Sequence, residues 1–342
     1  MSKKIINNLF GYAASEGAGR LVIENRPDQI AFDYHFADGA KQSFGLPKKL
    51  EKNLMDSLRQ ILKIAPGELT TKKYCKIYDK NYQLAFYLSI LPDRLGEKIV
   101  INIINRQEKL LRLKQLGWQT TELNLVEQAL KWRSGLVLIS SPIGQGKTAT
   151  LLALLQELNR PEINIYFLEK GSRQKIPGLN YLESNNKNWE KILSHDCEII
   201  AVEEISDDDT FKNAFRAAST GRLVLATINA NSSWEVLLKV LKLSLPLKLK
   251  LNSLRMILNQ RVVKLKRSKN KKINGRQEIG LFEVLPLTST LKQFIIDKRH
   301  DPSKKKFWEK LAQLVIKSGF RPLTEDLKKK IKEGLLDKED YL

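Results

Sequence analysis

Residues 135–158 read GLVLISSPIGQGKTATLLALLQEL. Gly135–Ser140 is an apolar run without alternation, the pattern of a strand buried on both faces. Thr148–Leu158 is rich in helix formers and apolar on most sides, so the helix it predicts is packed as well. Between them, Ser141-Pro142-Ile143-Gly144-Gln145-Gly146-Lys147-Thr148 turns the chain from strand to helix. Gly144 and Gly146 let the backbone aim N–H groups at an anion. The helix opening near Lys147 adds the positive end of its dipole. The spacing is that of G-x-x-x-x-G-K-[ST], with Ser141 in place of the first glycine. A residue with a side chain there is expected to cost roughly 1 kcal/mol if its φ must be positive. The stretch therefore predicts a nucleotide-phosphate site, formed by Ser141, Pro142, Gly144, Gln145, Gly146, Lys147, Thr148 and Ala149. In it Lys147 reaches the β- and γ-phosphates and Thr148 holds Mg²⁺.

The same kind of run recurs downstream. Ile163–Glu169 (INIYFLE), Glu198–Glu204 (EIIAVEE) and Arg222–Ile228 (RLVLATI) are short and apolar, and a further helical stretch, Asp207–Ser219, lies among them. Buried strands alternating with helices predict an α/β core with a parallel sheet covered on both faces. Ligands bind such sheets at the carboxyl edge. Glu203 and Glu204 end their run at that edge, where either carboxylate can polarise water or help hold Mg²⁺. A solvated strand end is the plainer reading of the pair.

The first hundred residues read as α+β. Ile30, Phe32, Tyr34 and Phe36 alternate as in a half-buried strand, and Asp38-Gly39 signals a turn. Leu50, Leu54, Leu58 and Leu62 mark one face of a helix that ends before Pro66-Gly67. Leu84–Ile90 alternates again, and Ile99–Ile104 is a further strand. The charged stretch after it has few strand formers. The expected division is an N-terminal α+β domain over 1–104, a linker over 105–122 with a short helix, and a P-loop domain over 123–342 with a helical, lysine-rich tail.

Composition narrows the classes. Of 342 residues, 42% are hydrophobic and 28% charged, which supports packed cores and argues against disorder. No apolar run approaches the roughly 20 residues of a membrane helix, and the start has no long apolar h-region. Two cysteines and three histidines make neither a disulfide framework nor a transition-metal cluster. A cytoplasmic, reducing location fits these features and is the expectation. Cys197 reads as an inert buried thiol, and Trp118, Trp132, Trp234 and Trp308 as packing residues. Lys+Arg 59 against Asp+Glu 38 gives a formal charge of +21. That favours anionic partners, whether nucleotide, nucleic acid or an anionic membrane, although a lysine-rich surface accounts for it too. The densest cluster, Lys264–Arg276, has no interleaved aromatics to stack bases, so nucleic acid is a disfavoured partner. It reads as a solvated loop or a peripheral membrane contact.

At this point the chain resembles a known family, the secretion ATPases of type II secretion and type IV pili. Gly135–Leu152 resembles its P-loop segment. Asp196–Asp207 (DCEIIAVEEISD) resembles its atypical Walker B segment, with Glu204 on the catalytic glutamate. Thr220–Asn231 (TGRLVLATINAN) resembles its histidine-containing segment. Gln260-Arg261-Val262-Val263 and Gly275–Leu285 (GRQEIGLFEVL) resemble later blocks, and Leu46–Leu50, Leu91-Pro92 with Gly96-Glu97-Lys98, and Leu113–Gly117 match upstream blocks in order. The resemblance implies a RecA-like P-loop NTPase core preceded by a small PAS-like α+β domain. It also implies ATP with Mg²⁺, a homo- or hetero-hexamer, and an inner-membrane platform protein as partner in pilin assembly.

The sequence departs from that family at polar positions. Lys170 and Gly171 follow Glu169 where an E-D-P segment stands. Arg222 and Asn229 replace histidines, Tyr87 and Asn102 align with arginines, Ser206 replaces an arginine and Glu203 a glycine. An arginine at a phosphoryl-transfer site is worth about 10³–10⁵ in rate. The expectation is that nucleotide binding survives while hydrolysis is slow or absent, unless Arg94, Arg106 or Arg222 substitutes. The roles kept open are an active pilus or secretion motor, a degenerate scaffold or regulatory paralogue, and a DNA-translocating ATPase.

Overall fold

The computed structural model describes residues 2–36, 40–65, 68–78, 83–104, 110–169, 175–266, 278–297, 304–317 and 319–338. The chain divides into two compact units that part in sequence before Leu110. The stretch Asn105–Lys109, Lys170–Gln174 and most of the basic Lys264–Arg276 cluster, on which several expectations bear, lie outside the described residues.

The first unit opens with α1 (Ser2–Ser15), followed by β1 (Arg20–Asn25), β2 (Gln29–His35), β3 (Lys41–Pro47), α2 (Glu51–Leu62), β4 (Thr70–Tyr78), β5 (Gln83–Asp93) and β6 (Gly96–Ile104). Its strands form one antiparallel sheet in the order β3-β2-β1-β6-β5-β4. Ile6 and Phe10 of α1 and Leu54, Leu58 and Leu62 of α2 are buried against Phe32, Phe86 and Ile101 of the sheet. The leucine stripe thus does what its spacing requires.

β2 departs from simple alternation. Ile30, Phe32 and Tyr34 are buried as expected, but Ala31 and Asp33 between them are buried too. Asp33 is tolerable there because its carboxylate is saturated. It accepts from the Ser43 hydroxyl at 2.6 Å and from Arg26 at 3.0 Å, and Lys41 lies 2.9 Å away. Burial works to raise its pKa, but Ser43, Lys41 and Arg26 outweigh it and hold the carboxyl below the ordinary value of 3.8. A carboxyl depressed in the folded state contributes stability that is present above its unfolded pKa and lost as pH falls through the folded one. Acid unfolding of the wild type should therefore steepen below pH 3.8. Asp33→Asn should flatten that limb while lowering stability near neutrality, as read by circular dichroism along a pH series.

The second unit contains a sheet in the order β13-β12-β7-β11-β10-β8-β9. It begins with α3 (Thr120–Ala129), β7 (Gly135–Ser141) and α4 (Lys147–Leu158). Then come β8 (Ile165–Glu169), β9 (Asn180–Glu183), α5 (Asn186–Ser194), β10 (Ile199–Ile205), α6 (Asp208–Ser219) and β11 (Leu223–Asn229). The chain ends through α7 (Ser233–Lys242), α8 (Leu247–Ser253), β12 (Leu254–Lys264), β13 (Glu278–Pro286), α9 (Ser289–Ile296), α10 (Lys305–Lys317) and α11 (Leu323–Lys332). All pairings are parallel except β12 with β13.

The sheet has a core on each face. Odd-numbered Val137 and Ile139 of β7 pack with α3 and α4, while Leu136 and Leu138 pack with α5, α6 and α7. That two-sided burial is why the central strands read as unbroken apolar runs. Cys197 is buried, and burial pushes its thiol pKa up. Trp118 stacks on Phe282, and Trp189 is 1% exposed. Among the described residues no helix is long and apolar enough to cross a membrane.

The C-terminal helix α11 is locked to β13 by a buried polar cluster. Lys330 donates to Asp326 at 2.6 Å and to the Gly280 carbonyl at 2.8 Å. Asp326 also accepts from the Gln119 side chain at 2.9 Å and the Phe282 N–H at 2.8 Å. Lys330 is 1% exposed and Asp326 5%. Every bond of this pair therefore matters, since water cannot replace one.

Candidate functional site

The loop between β7 and α4 lies at the carboxyl edge of the parallel strands, where the sequence placed it. Gly144 (φ 81°) and Gly146 (φ 75°) both take left-handed backbone, the conformation glycine adopts without strain. Ser141 does not. Its φ is not positive, so the strain anticipated for a side chain at that position is absent. Its buried hydroxyl instead donates to the Pro142 carbonyl at 2.8 Å, tightening the turn out of the strand. The Lys147 ammonium curls back over the loop and donates to the carbonyls of Ser141 and Pro142, each at 3.0 Å. Gly144 has open space beside it, whereas a Cβ on Gly146 would lie 3.2 Å from both Gln260 and Val262.

Neighbouring strand ends complete the edge. Asn229 ends β11 directly across from Ser141, and its side-chain amide donates to Glu204 at 2.7 Å. Asn229 thus stands between the base of the loop and the carboxylate. Thr227 donates to the main-chain oxygen of Glu203. The register of β10 slips between Val202 and Ile205, an irregularity that falls on the two glutamates. Glu203 is the more buried of the two. Glu204 opens into a cavity of about 500 Å³ that also presents Asn229, Asp207, Lys239 and Lys242. The Asn231 N–H and Lys239, the latter lining the cavity, hold the Glu235 carboxyl below its usual range.

Three of the sequence expectations fare differently. Arg222 precedes β11 and stands at the amino edge, because Leu223 pairs with Gly135 at the start of β7. Seven strand residues put it about 20 Å from this chain's own phosphate loop. Its guanidinium is spent on the carbonyls of Leu193 (3.0 Å) and His195 (3.3 Å) and on Thr220 (2.8 Å). Within one chain it does not replace a lost arginine at that loop. Tyr87 is buried in β5, and Asn102 accepts from Arg20 across the β1–β6 pair at 2.9 Å. Lys170, Gly171 and Arg106 lie outside the described residues.

Sequence reasoning gave no role to Gln260, Asn259 and Thr227, which line the inner side of this edge. Asn259 donates to the Ser140 hydroxyl at 2.9 Å, and Gln260 donates to the Gln145 carbonyl at 2.6 Å. The signal was present: two adjacent carboxamides follow the apolar run Met256–Leu258 of β12, and buried polar residues have a reason to be there.

The family model for type II/IV secretion system proteins matches residues 3–341. The chain belongs to this family. Among curated relatives, the protein transport protein HofB homolog of Escherichia coli is 28% identical over 76% of the chain and 62% of its own length. The type IV pilus assembly ATPase PilB of Pseudomonas aeruginosa is 31% identical over 54% of the chain and 34% of its own length. The chain thus spans only part of the curated relatives it matches. The ATPase DotB of Legionella pneumophila superposes with a TM-score of 0.73 at 15% identity, covering 99% of this chain and 94% of that one. The pilus retraction motor PilT, solved with bound ADP, gives 0.70 at 19% identity over 99% and 95%. These likenesses establish the fold of this secretion-family chain: a RecA-like core preceded by a small α+β domain.

Proposed function

We propose that this secretion-family protein binds ATP with Mg²⁺ at the Ser141–Ala149 loop and turns it over slowly or not at all. The observation that carries the binding is the loop itself: two left-handed glycines open a turn into α4, with the Lys147 ammonium arched over it. A triphosphate would be held by the loop amides and Lys147, with the Thr148 hydroxyl toward Mg²⁺ and Glu204 as the catalytic carboxylate. The ion would neutralise phosphate charge. The residues fit such a ligand, since the space beside Gly144 is open and the donor set is cationic.

Slow turnover is supported by what surrounds Glu204. Asn229 holds its carboxylate, and an uncharged amide does not supply the positive charge that stabilises a phosphoryl-transfer transition state. Arg222 is committed to the opposite edge. The resemblance to secretion ATPases brings the further proposal of a hexamer working with a membrane platform protein in a pilus or type II secretion machine, as a motor if turnover proves fast and as a nucleotide-gated subunit if it does not.

The test measures fluorescent ATP-analogue binding and phosphate release on one preparation at assembly-competent concentration. Binding with turnover below about 1 s⁻¹, the low end for enzymes, is expected. Glu204→Gln should remove the remaining turnover and leave binding intact. Rapid turnover abolished by Lys147→Ala would overturn the slow-turnover reading, and absence of binding would overturn the site.

A further inference from the structure

β12 outruns its neighbour. Its pairing with β7 ends at Asn259 opposite Ser140, yet the strand continues to Lys264. On its other side it stays paired with β13 through that length. The edge that β7 abandons is therefore open just where the phosphate loop begins, and the loop closes it. Gln145, between the two left-handed glycines, docks there twice. Its carbonyl accepts from the Gln260 side chain at 2.6 Å, and its own side-chain oxygen accepts from the Val262 N–H at 2.7 Å. The other end of the Gln260 amide accepts from the Thr150 hydroxyl, in the first turn of α4, at 2.7 Å. Gln260 is 2% exposed. One carboxamide therefore holds both the loop apex and the helix that follows it.

Glycine makes the loop's conformation accessible; it does not select it, because glycine is equally content in many others. A loop that must present several N–H groups to one anion has to be held before the ligand arrives, or binding is weakened by the cost of ordering it. We propose that Gln260 is the positioning residue that holds the phosphate loop in its binding conformation, with Gln145 as its counterpart on the loop. The inference rests on the loop being the nucleotide site, and its first readout is chosen to be independent of that.

Gln260→Met keeps the volume and removes both bonds. Hydrogen exchange of the amides at 143–147 should speed by about tenfold or more, while those of β7 and β11 stay as in the wild type. Affinity for a fluorescent ATP analogue should fall by about tenfold. Gln260→Glu supplies a second, isosteric variant with a sharper signature. Protonated, the carboxylic acid donates to the Gln145 carbonyl and still accepts from Thr150; ionised, it sets an anion against that carbonyl. Loop protection and analogue affinity in this variant should therefore fall as pH rises through the carboxyl's titration, a step absent from the wild type. Burial raises the pKa of such a carboxyl and brings the step toward neutrality. Unchanged loop exchange in Gln260→Met, or uniform loosening of the whole sheet with it, overturns the proposal, as does a pH-independent Gln260→Glu. If the wild type fails to bind the analogue while the exchange results hold, the nucleotide reading falls and the clamp stands.

Discussion

Lys147→Ala is expected to weaken ATP binding by about 100-fold while leaving the fold intact. Hydrogen bonds from an ammonium to charged groups contribute about 1.5–3 kcal/mol each, and in the proposed complex this ammonium trades the Ser141 and Pro142 carbonyls for phosphate oxygens, so the net loss is about one such bond. Nothing else in the loop duplicates that charge: the remaining donors are backbone amides and the Thr148 hydroxyl. The architecture does not depend on it. Lys147 is only half-buried, its partners are the half-exposed loop's own carbonyls, and Gln145 remains tied to β12. The thermal midpoint should thus stay within a degree or two of wild type, whereas the stabilisation gained from added nucleotide should shrink by up to about 2.7 kcal/mol, the equivalent of 100-fold in affinity. Thermal shift with and without MgATP, beside a direct binding isotherm, checks both halves. A variant that keeps its full nucleotide-induced shift would show that the ammonium does not touch the phosphates.

Asp326→Ala should produce the largest loss of stability, about 3–5 kcal/mol. The substitution strips the buried Lys330 of its counter-charge and orphans the Phe282 N–H and the Gln119 amide in the same step. Burial already presses the Lys330 pKa down, with Asp326 opposing it, so without the carboxylate the folded state is driven to shed that proton. The single variant should therefore regain stability as pH rises, because the unfolded lysine binds a proton the folded one has given up. Replacing both members together, Asp326→Leu with Lys330→Met, should recover the part of the loss that comes from the uncompensated lysine, while the Phe282 N–H and Gln119 amide stay unpaired. Denaturant titration of the three variants across pH decides this. An Asp326→Ala protein as stable as wild type would mean that the cluster fastens nothing.

Much of the second unit was legible in the chain. Strands buried on both faces advertise themselves as apolar runs, and β7, β8, β10 and β11 begin and end within two residues of the stretches read for them. The strand-to-helix turn at 141–148 was legible because its glycines and lysine serve local geometry. The first unit was harder. α1 (SKKIINNLFGYAAS) carries polar residues and a glycine within a helix stabilised by burying Ile6, Phe10 and Ala13, a tertiary effect that outweighs weak propensity. β3 is exposed along almost its whole length, so no hydrophobic period marks it; it exists through its pairing with β2.

The site divides the same way. The sequence by itself determined that this chain holds a two-sided α/β core, a glycine-containing strand-to-helix loop with its lysine and threonine, and a pair of glutamates at a strand end. Each of those is written in contiguous residues whose period or local backbone chemistry suffices. Only the tertiary structure decided that Asn229, across from Ser141, bonds Glu204 and that Arg222 serves the far edge of the sheet. It also decided that Asp33 and Lys330 are buried yet satisfied, and that Gln260, 115 positions from Gln145, grips the loop. Those facts depend on which strands lie side by side and how far one outruns another. Strand order and overrun follow from the packing of the whole sheet, which no local stretch of sequence encodes.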